Sequence, residues 1–122
     1  MSKEVINLKI HSQFSICEGA IKINQLSDFC KKNKVSAVGI CDNENLSGAL
    51  EFSNELSKLG IQPIIGTTIY LKDTVDKEIF YGKISLFAKN NKGYKNLLKL
   101  SSKSYLNLKD DDIKPNISFD LL

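Results

Sequence analysis

Apolar and polar positions change period several times along the chain, and each change marks an element. Glu4 to Ile10 carries Val5, Ile6, Leu8 and Ile10 and reads as a first strand, followed by a polar loop from His11 to Gly19. Asn24 then caps a helix over about residues 25–34. Its Leu26, Phe29 and Cys30 follow helical spacing, and Lys31, Lys32 and Lys34 suit the C-terminal end of the helix dipole. Val35 to Cys41 is a continuous apolar run with two small residues, the text of a strand buried on both faces. The polar turn Asp42-Asn43-Glu44-Asn45 follows. Ser47 caps a second helix over about residues 48–59, with Leu50, Glu51, Leu56 and Leu59 on a mixed face and Gly60 as its stop. A third strand starts at residues 61–65, Gly66 allows a bend, and residues 67–71 continue extended. A polar hairpin-like link at 73–78 leads to a fourth strand over 80–88. Asn90-Asn91 caps a last helix over 92–106, whose buried stripe is Tyr94, Leu97, Leu98, Leu100 and Tyr105. The text then turns charged and is broken by Pro115.

The order β-α-β-α-β-β-α predicts an α/β fold with mostly parallel strands, because helical crossovers of this length return the chain parallel to itself. A closed β/α barrel needs roughly 200 residues or more, so the sequence describes either a small open sandwich or a piece of something larger. In a parallel sheet the carboxyl ends of the strands lie side by side, where ligands gather. Those ends carry Lys9 and His11, then Asp42 and Asn43, then Thr67 and Thr68.

Composition narrows the class. The 122 residues suffice for one domain with a modest core, and 42% hydrophobic with 25% charged residues is ordinary for a globular chain. No apolar run approaches the roughly 20 residues of a membrane span, and MSKEVINLK lacks a signal-peptide core, so the reading is a cytoplasmic protein with no membrane partner. The net charge is +3 and every basic residue is lysine. Arginine is the usual residue for bidentate phosphate and guanine contacts, so its absence argues against direct nucleic-acid readout by this segment. Cys17, Cys30 and Cys41 are odd in number and have no metal-knuckle spacing; they read as reduced thiols.

The strand ends offer little chemistry. A metal phosphoesterase needs two or three nitrogen or carboxylate ligands on each ion to acidify bound water. Here there are one imidazole and one carboxylate, beside an ammonium, an amide and two hydroxyls. His11 reads more readily as a hydrogen-bonded structural residue than as a ligand, and Asp42 as a residue that shapes its turn or caps the next helix. Ser12 and Ser15 adjoin His11, but no third group orients a base and no nucleophile elbow is present. Gly19 and Gly66 have no phosphate-loop spacing around them.

Four stretches carry a resemblance: INLKIHSQFSICEGAIKI, AVGICDNENLSGALEF, GIQPIIGTTIYL and LFAKNNKGYKNLLKLSSKSYL. Together they resemble the PHP (polymerase and histidinol phosphatase) domain, in the form found at the N-terminus of the alpha subunit of bacterial DNA polymerase III. The histidine-serine turn and the aspartate turn are common to PHP proteins. The Asn-x-x-Gly-Tyr-x-Asn-Leu text from Asn90 and the Ser-Lys-x-Tyr end at Tyr105 are specific to the polymerase form.

The resemblance implies the N-terminal portion of a distorted (β/α)7 barrel over residues 1–122, continued by a much longer polymerase chain. It implies DNA-directed DNA synthesis in replication for that parent protein, with Mg2+ at a polymerase site outside these residues. It also implies the proofreading exonuclease subunit as a partner and DNA contact through the parent. The alternative is a free-standing metal-dependent phosphoesterase of the same superfamily.

Metal-binding members of the family carry His-x-His, Thr-Asp-His-Gly-Asn and Gly-Cys-Glu at the three strand ends. Here these read Lys9-Ile10-His11, Cys41-Asp42-Asn43-Glu44-Asn45 and Gly66-Thr67-Thr68. Lys9, Asn43 and Thr68 stand where ligands belong, His11 is retained, and Asp42 is retained as a neighbour. The expectation is a vestigial, metal-free and non-catalytic site, with the Lys9 ammonium offsetting Asp42. A further expectation is that the segment, with open sheet edges, self-associates if it folds alone.

Overall fold

The computed structural model describes residues 4–122; Met1, Ser2 and Lys3 of the N-terminal reading lie outside the described residues. The elements are α1 (Ile23–Lys32), β1 (Ala37–Asn43), α2 (Ala49–Lys58), β2 (Gln62–Val75), β3 (Glu78–Phe87), α3 (Asn91–Leu106) and β4 (Asn116–Ser118), with a closing 3-10 turn at Phe119–Leu121. β1 and β4 both pair parallel to β2 along one edge, and β3 pairs antiparallel along the other. The fold is α/β with a mostly parallel sheet and three helices, as expected.

β1 is apolar because both its faces are covered, and six of its seven residues are buried. Val38 and Ile40 pack with Ile23, Leu26 and Cys30 of α1 and with Phe52 and Leu56 of α2. Each such fully buried large side chain contributes about 1.5–3 kcal/mol relative to leaving it in water. α3 lies against β2, β3 and β4. No helix among the described residues is long and apolar enough to cross a membrane.

Several boundaries differ from the sequence expectation, each for a local reason. α1 starts at Ile23, capped by Lys22, because Ile23 joins Leu26 and Cys30 in the core; Asn24 falls inside the first turn and its side chain accepts from Gln25 N at 2.8 Å. Phe29 of the expected stripe is 59% exposed. In α2 the buried face is Ala49, Phe52 and Leu56, so Leu50 points outward at 70% exposure, and Gly48 rather than Ser47 is the cap. Gly60 does end that helix in the left-handed region, at φ +70°. Gly66 is not a bend: β2 runs unbroken for 14 residues. The glycine is there because a Cβ would lie 2.5 Å from the Phe87 ring across the β2–β3 pair. Asp76 and Lys77, both at positive φ, form the two-residue hairpin turn. β4 at Asn116–Ser118 was not anticipated in the charged tail; it is three residues long and only Ile117 is buried.

The expected first strand is the main correction. Residues 4–10 form no regular strand; their one β-bridge to β1 among the described residues joins Ile10 and Ile40. Gly39 N donates to Asn7 O at 2.7 Å and Cys41 N donates to Ile10 O at 2.8 Å. Three steps on the N-terminal segment therefore answer two steps on β1, which breaks the ladder as a bulge does. The backbone of Leu8 crosses directly over Gly39, where a Cβ would meet Leu8 O at 2.4 Å.

Candidate functional site

Asp42 and Asn43 were expected in a turn but are the last two residues of β1. Alternation along a strand therefore sends their side chains to opposite faces. Asp42 follows Val38 and Ile40 toward the helices, while Asn43 follows Cys41 to the other face. The two residues that the sequence places at one site are divided by the sheet itself.

On the helix face Asp42 is 3% exposed and held by three hydrogen bonds. Its Oδ1 accepts from Ser12 N and from Ser15 Oγ, and its Oδ2 accepts from Ser12 Oγ, all at 2.7 Å. Ser12 and Ser15 are themselves buried. They are donors that tie the loop 11–19 to β1, a role the sequence reading did not assign; the signal was their placement three residues apart in a short polar loop before a buried strand. Thr67, paired with Asp42 in the register, donates from Oγ1 to Asp42 O at 2.9 Å. Lys9 is exposed and takes no part. Among the described residues the ion pairs are Glu55–Lys58 and Lys72–Asp112, so the expected Lys9–Asp42 pairing is not formed. Three hydrogen bonds supply what a buried carboxylate needs, without a cation.

On the opposite face Asn43 lies across from Thr68, and Thr68 across from Ser85. Thr68 Oγ1 is 2.9 Å from Ser85 Oγ and 3.3 Å from Cys41 Sγ. Asn43 Nδ2 donates to Glu18 Oε2. Glu44 follows in the left-handed region at φ +60°, held by its own N–H on Thr68 O at 2.8 Å and by Tyr105 OH on its carbonyl at 2.9 Å. Asn45 closes the turn, donating to Phe14 O at 2.9 Å and accepting from Ser47 N at 3.1 Å.

A cavity of about 370 Å3 opens here, with Glu18, Glu44, Tyr70, Lys83, Tyr105 and Lys114 in its wall. Lys114 Nζ donates to Tyr70 OH at 2.8 Å and stands 4.4 Å from the ring centre; Lys83 Nζ stands 5.1 Å from it. The hydrogen bond from Lys114, and after it the nearby Lys83 ammonium, hold the Tyr70 phenol below its ordinary pKa. Burial raises that of Tyr105. Tyr70, Lys83 and Lys114 were not singled out from the sequence, because they are far apart in the chain and meet only through the pairing of β2 with β3 and β4.

His11 is half-buried, and its Nδ1 is buried without a hydrogen-bond partner. Among the described residues that unpartnered nitrogen is the one feature pointing to a ligand. The other residues do not complete it: Asp42 accepts three hydrogen bonds from the serines, Asn43 is turned to Glu18, and Thr68 to Ser85 and Cys41. Among the described residues no three His, Cys, Asp or Glu side chains gather as a metal-holding group. The donor set therefore does not fit the resident metal centre that an active phosphoesterase of this kind needs.

Comparison with known proteins places this geometry. A family model described as "PHP domain" matches residues 7–122. DNA polymerase III subunit alpha of Borreliella burgdorferi is 44% identical over 108 residues, covering 83% of this chain and 9% of the relative. That of Aquifex aeolicus is 37% identical over 134 residues, covering 100% of this chain and 11% of the relative. This chain thus spans about a tenth of the length of the curated relatives it matches. A solved structure from Bifidobacterium adolescentis, provisionally described as a metal-dependent phosphoesterase, superposes with a TM-score of 0.56 at 19% identity, covering 98% of this chain and 42% of that one. That likeness concerns the fold alone.

Proposed function

This chain belongs to the PHP domain family, and from that membership we propose that it is part of a bacterial DNA polymerase III alpha subunit and is itself non-catalytic. The observation that carries the reading is the match to alpha subunits, at 44% and 37% identity, across most or all of this chain. In this reading residues 1–122 are the N-terminal portion of a distorted (β/α)7 barrel. The parent protein is a cytoplasmic DNA-directed DNA polymerase, whose Mg2+ and DNA sites lie elsewhere in it. The role of the segment is architectural: it braces the polymerase core and offers a surface to the proofreading exonuclease subunit. The residue set His11, Asp42, Lys9, Asn43 and Thr68 is the remnant of a metal site, maintained as structure.

The serine cage around Asp42 supports the architectural part, since three short hydrogen bonds commit the carboxylate to holding the loop 11–19 against β1. Two measurements test the proposal. The complete protein carrying this segment should extend a primed DNA template, and the purified chain should contain no stoichiometric zinc, manganese or iron by elemental analysis. Stoichiometric metal together with turnover of a phosphate ester would instead support the phosphoesterase reading, the alternative favoured by the unpartnered His11 Nδ1.

A further inference from the structure

β3 is the last strand of the sheet: it pairs with β2 on one side and, among the described residues, with no strand on the other. The hairpin decides which of its backbone groups are left over. Val75 and Glu78 close the two-residue turn, and Ala88 N donates to Ile65 O at 2.8 Å, so every second pair between these ends exchanges hydrogen bonds with β2. The inward set on β3 is Glu78, Phe80, Gly82, Ile84 and Leu86. Ile79, Tyr81, Lys83, Ser85 and Phe87 turn their N–H and C=O groups to the open edge.

Edge strands are usually blunted by proline, a bulge or an outward lysine. β3 contains no proline, and its ten pairs with β2 run without a break in register. Its one lysine is drawn inward, the Lys83 ammonium standing 5.1 Å from the centre of the Tyr70 ring. Ile79 and Phe80 are each 53% exposed, and a Cβ added at Gly82 would meet nothing within 4 Å.

We propose that the outer edge of β3 is a pairing surface for β3 of a second copy of this chain, antiparallel, with the two-fold axis at Gly82. The inference rests on strand geometry and makes no use of the polymerase reading. The strand is complementary to itself in this register. Tyr81 lies opposite Lys83, Phe80 opposite Ile84, Ile79 opposite Ser85 and Glu78 opposite Leu86, each twice, and no like charges meet. Tyr81 OH donates to Asp112 Oδ1 at 3.3 Å, so a carboxylate stands beside the place that Lys83 of the second copy takes. Moving the axis on to Lys83 would instead set two ammoniums against each other. At the axis the two glycines form a non-hydrogen-bonded pair, in which Cα atoms approach to about 4.5 Å.

The test is sedimentation velocity of the chain over a wide concentration range. The parent chain should pass from monomer to dimer. Tyr81→Lys sets an ammonium opposite Lys83 twice and should weaken the dimer about tenfold. Adding Lys83→Glu restores opposite charges in this register and should bring the dimer back. A chain that stays monomeric throughout leaves the edge to an extended segment of another protein or of the parent, and overturns the assignment to a second copy. A dimer indifferent to Tyr81→Lys overturns β3 as its interface, and one lost but not recovered in the double variant overturns the Gly82 register. Should the variants fail to fold, amide exchange of the parent chain carries the same question. The Tyr81, Lys83 and Ser85 amides should slow as concentration rises, while those of Gly82 and Ile84, already bonded to β2, should not change. Outward amides that exchange at the same rate throughout overturn the proposal.

Discussion

Two adjacent residues of one strand, Asp42 and Asn43, meet opposite environments. Asp42 turns to the helices, is buried, and accepts three hydrogen bonds from two buried serines. Asn43 turns to an open cavity of about 370 Å3, where charges face one another across water-accessible space. The first is a closed polar network, in which each donor and acceptor is matched and a lost partner leaves a buried group unsatisfied. The second is an electrostatic balance in a wet pocket, where screening softens every term. The difference teaches that neighbouring residues of one strand can be held by quite different physics, one by matched buried hydrogen bonds and the other by exposed polar contacts.

Breaking the closed side should have the largest effect. Asp42→Ala leaves Ser12 N, Ser12 Oγ and Ser15 Oγ without their acceptor, and should destabilise the chain by about 3 kcal/mol by urea unfolding. A change below about 1 kcal/mol would mean that the serines find other partners and the cage is not what holds the loop. Next in size is Gly39→Ala, which places a methyl group against the Leu8 backbone and should cost about 2 kcal/mol. Hydrogen exchange checks this one locally: the Gly39 and Cys41 amides, bound to Asn7 O and Ile10 O, should lose protection before the rest of β1.

Thr68→Val probes the buried floor of the face that Asn43 shares. It removes the hydroxyl shared with Ser85 and Cys41 while keeping the shape, and should cost about 1 kcal/mol, well under the Asp42 effect. An equal or larger loss would erase the contrast between the two faces.

The smallest effect lies away from both, in the pair that ties the tail to the hairpin. The hydrogen bond from Lys72, then that from Lys109 N, holds the Asp112 carboxyl well below the usual carboxylate range. Because its folded pKa is depressed, the stabilisation is present above the unfolded value of about 4 and is lost as pH falls through that region toward the folded pKa. For Lys72 the sign reverses: its pKa is raised by Asp112, so its share persists below about 10 and is lost as pH rises beyond it. In Lys72→Met the acid limb of a stability profile between pH 2 and 6 should flatten, with little change at pH 7 beyond the loss of the pair.

The hydrophobic pattern was enough to find α1, β1, α2, β2, β3 and α3, because each has a core-facing stripe or run long enough to set a period. It was not enough for residues 4–10, whose alternation is strand-like but whose register against β1 is broken at Leu8 and Gly39. Nor could it find β4, whose three residues carry no period at all and are a strand only because β2 offers an edge beyond the end of β1.

The candidate site divides the same way. Sequence alone determined the family text and the shortage of His, Cys, Asp and Glu at the strand ends, since these depend on residue identity at local spacing. Only the tertiary structure decided which of those residues share a surface. It gave Asp42 to the serines, left Lys9 outside, and gathered Tyr70, Lys83 and Lys114 into one wall. The physical reason is that strand alternation and register, rather than distance along the chain, choose a side chain's neighbours.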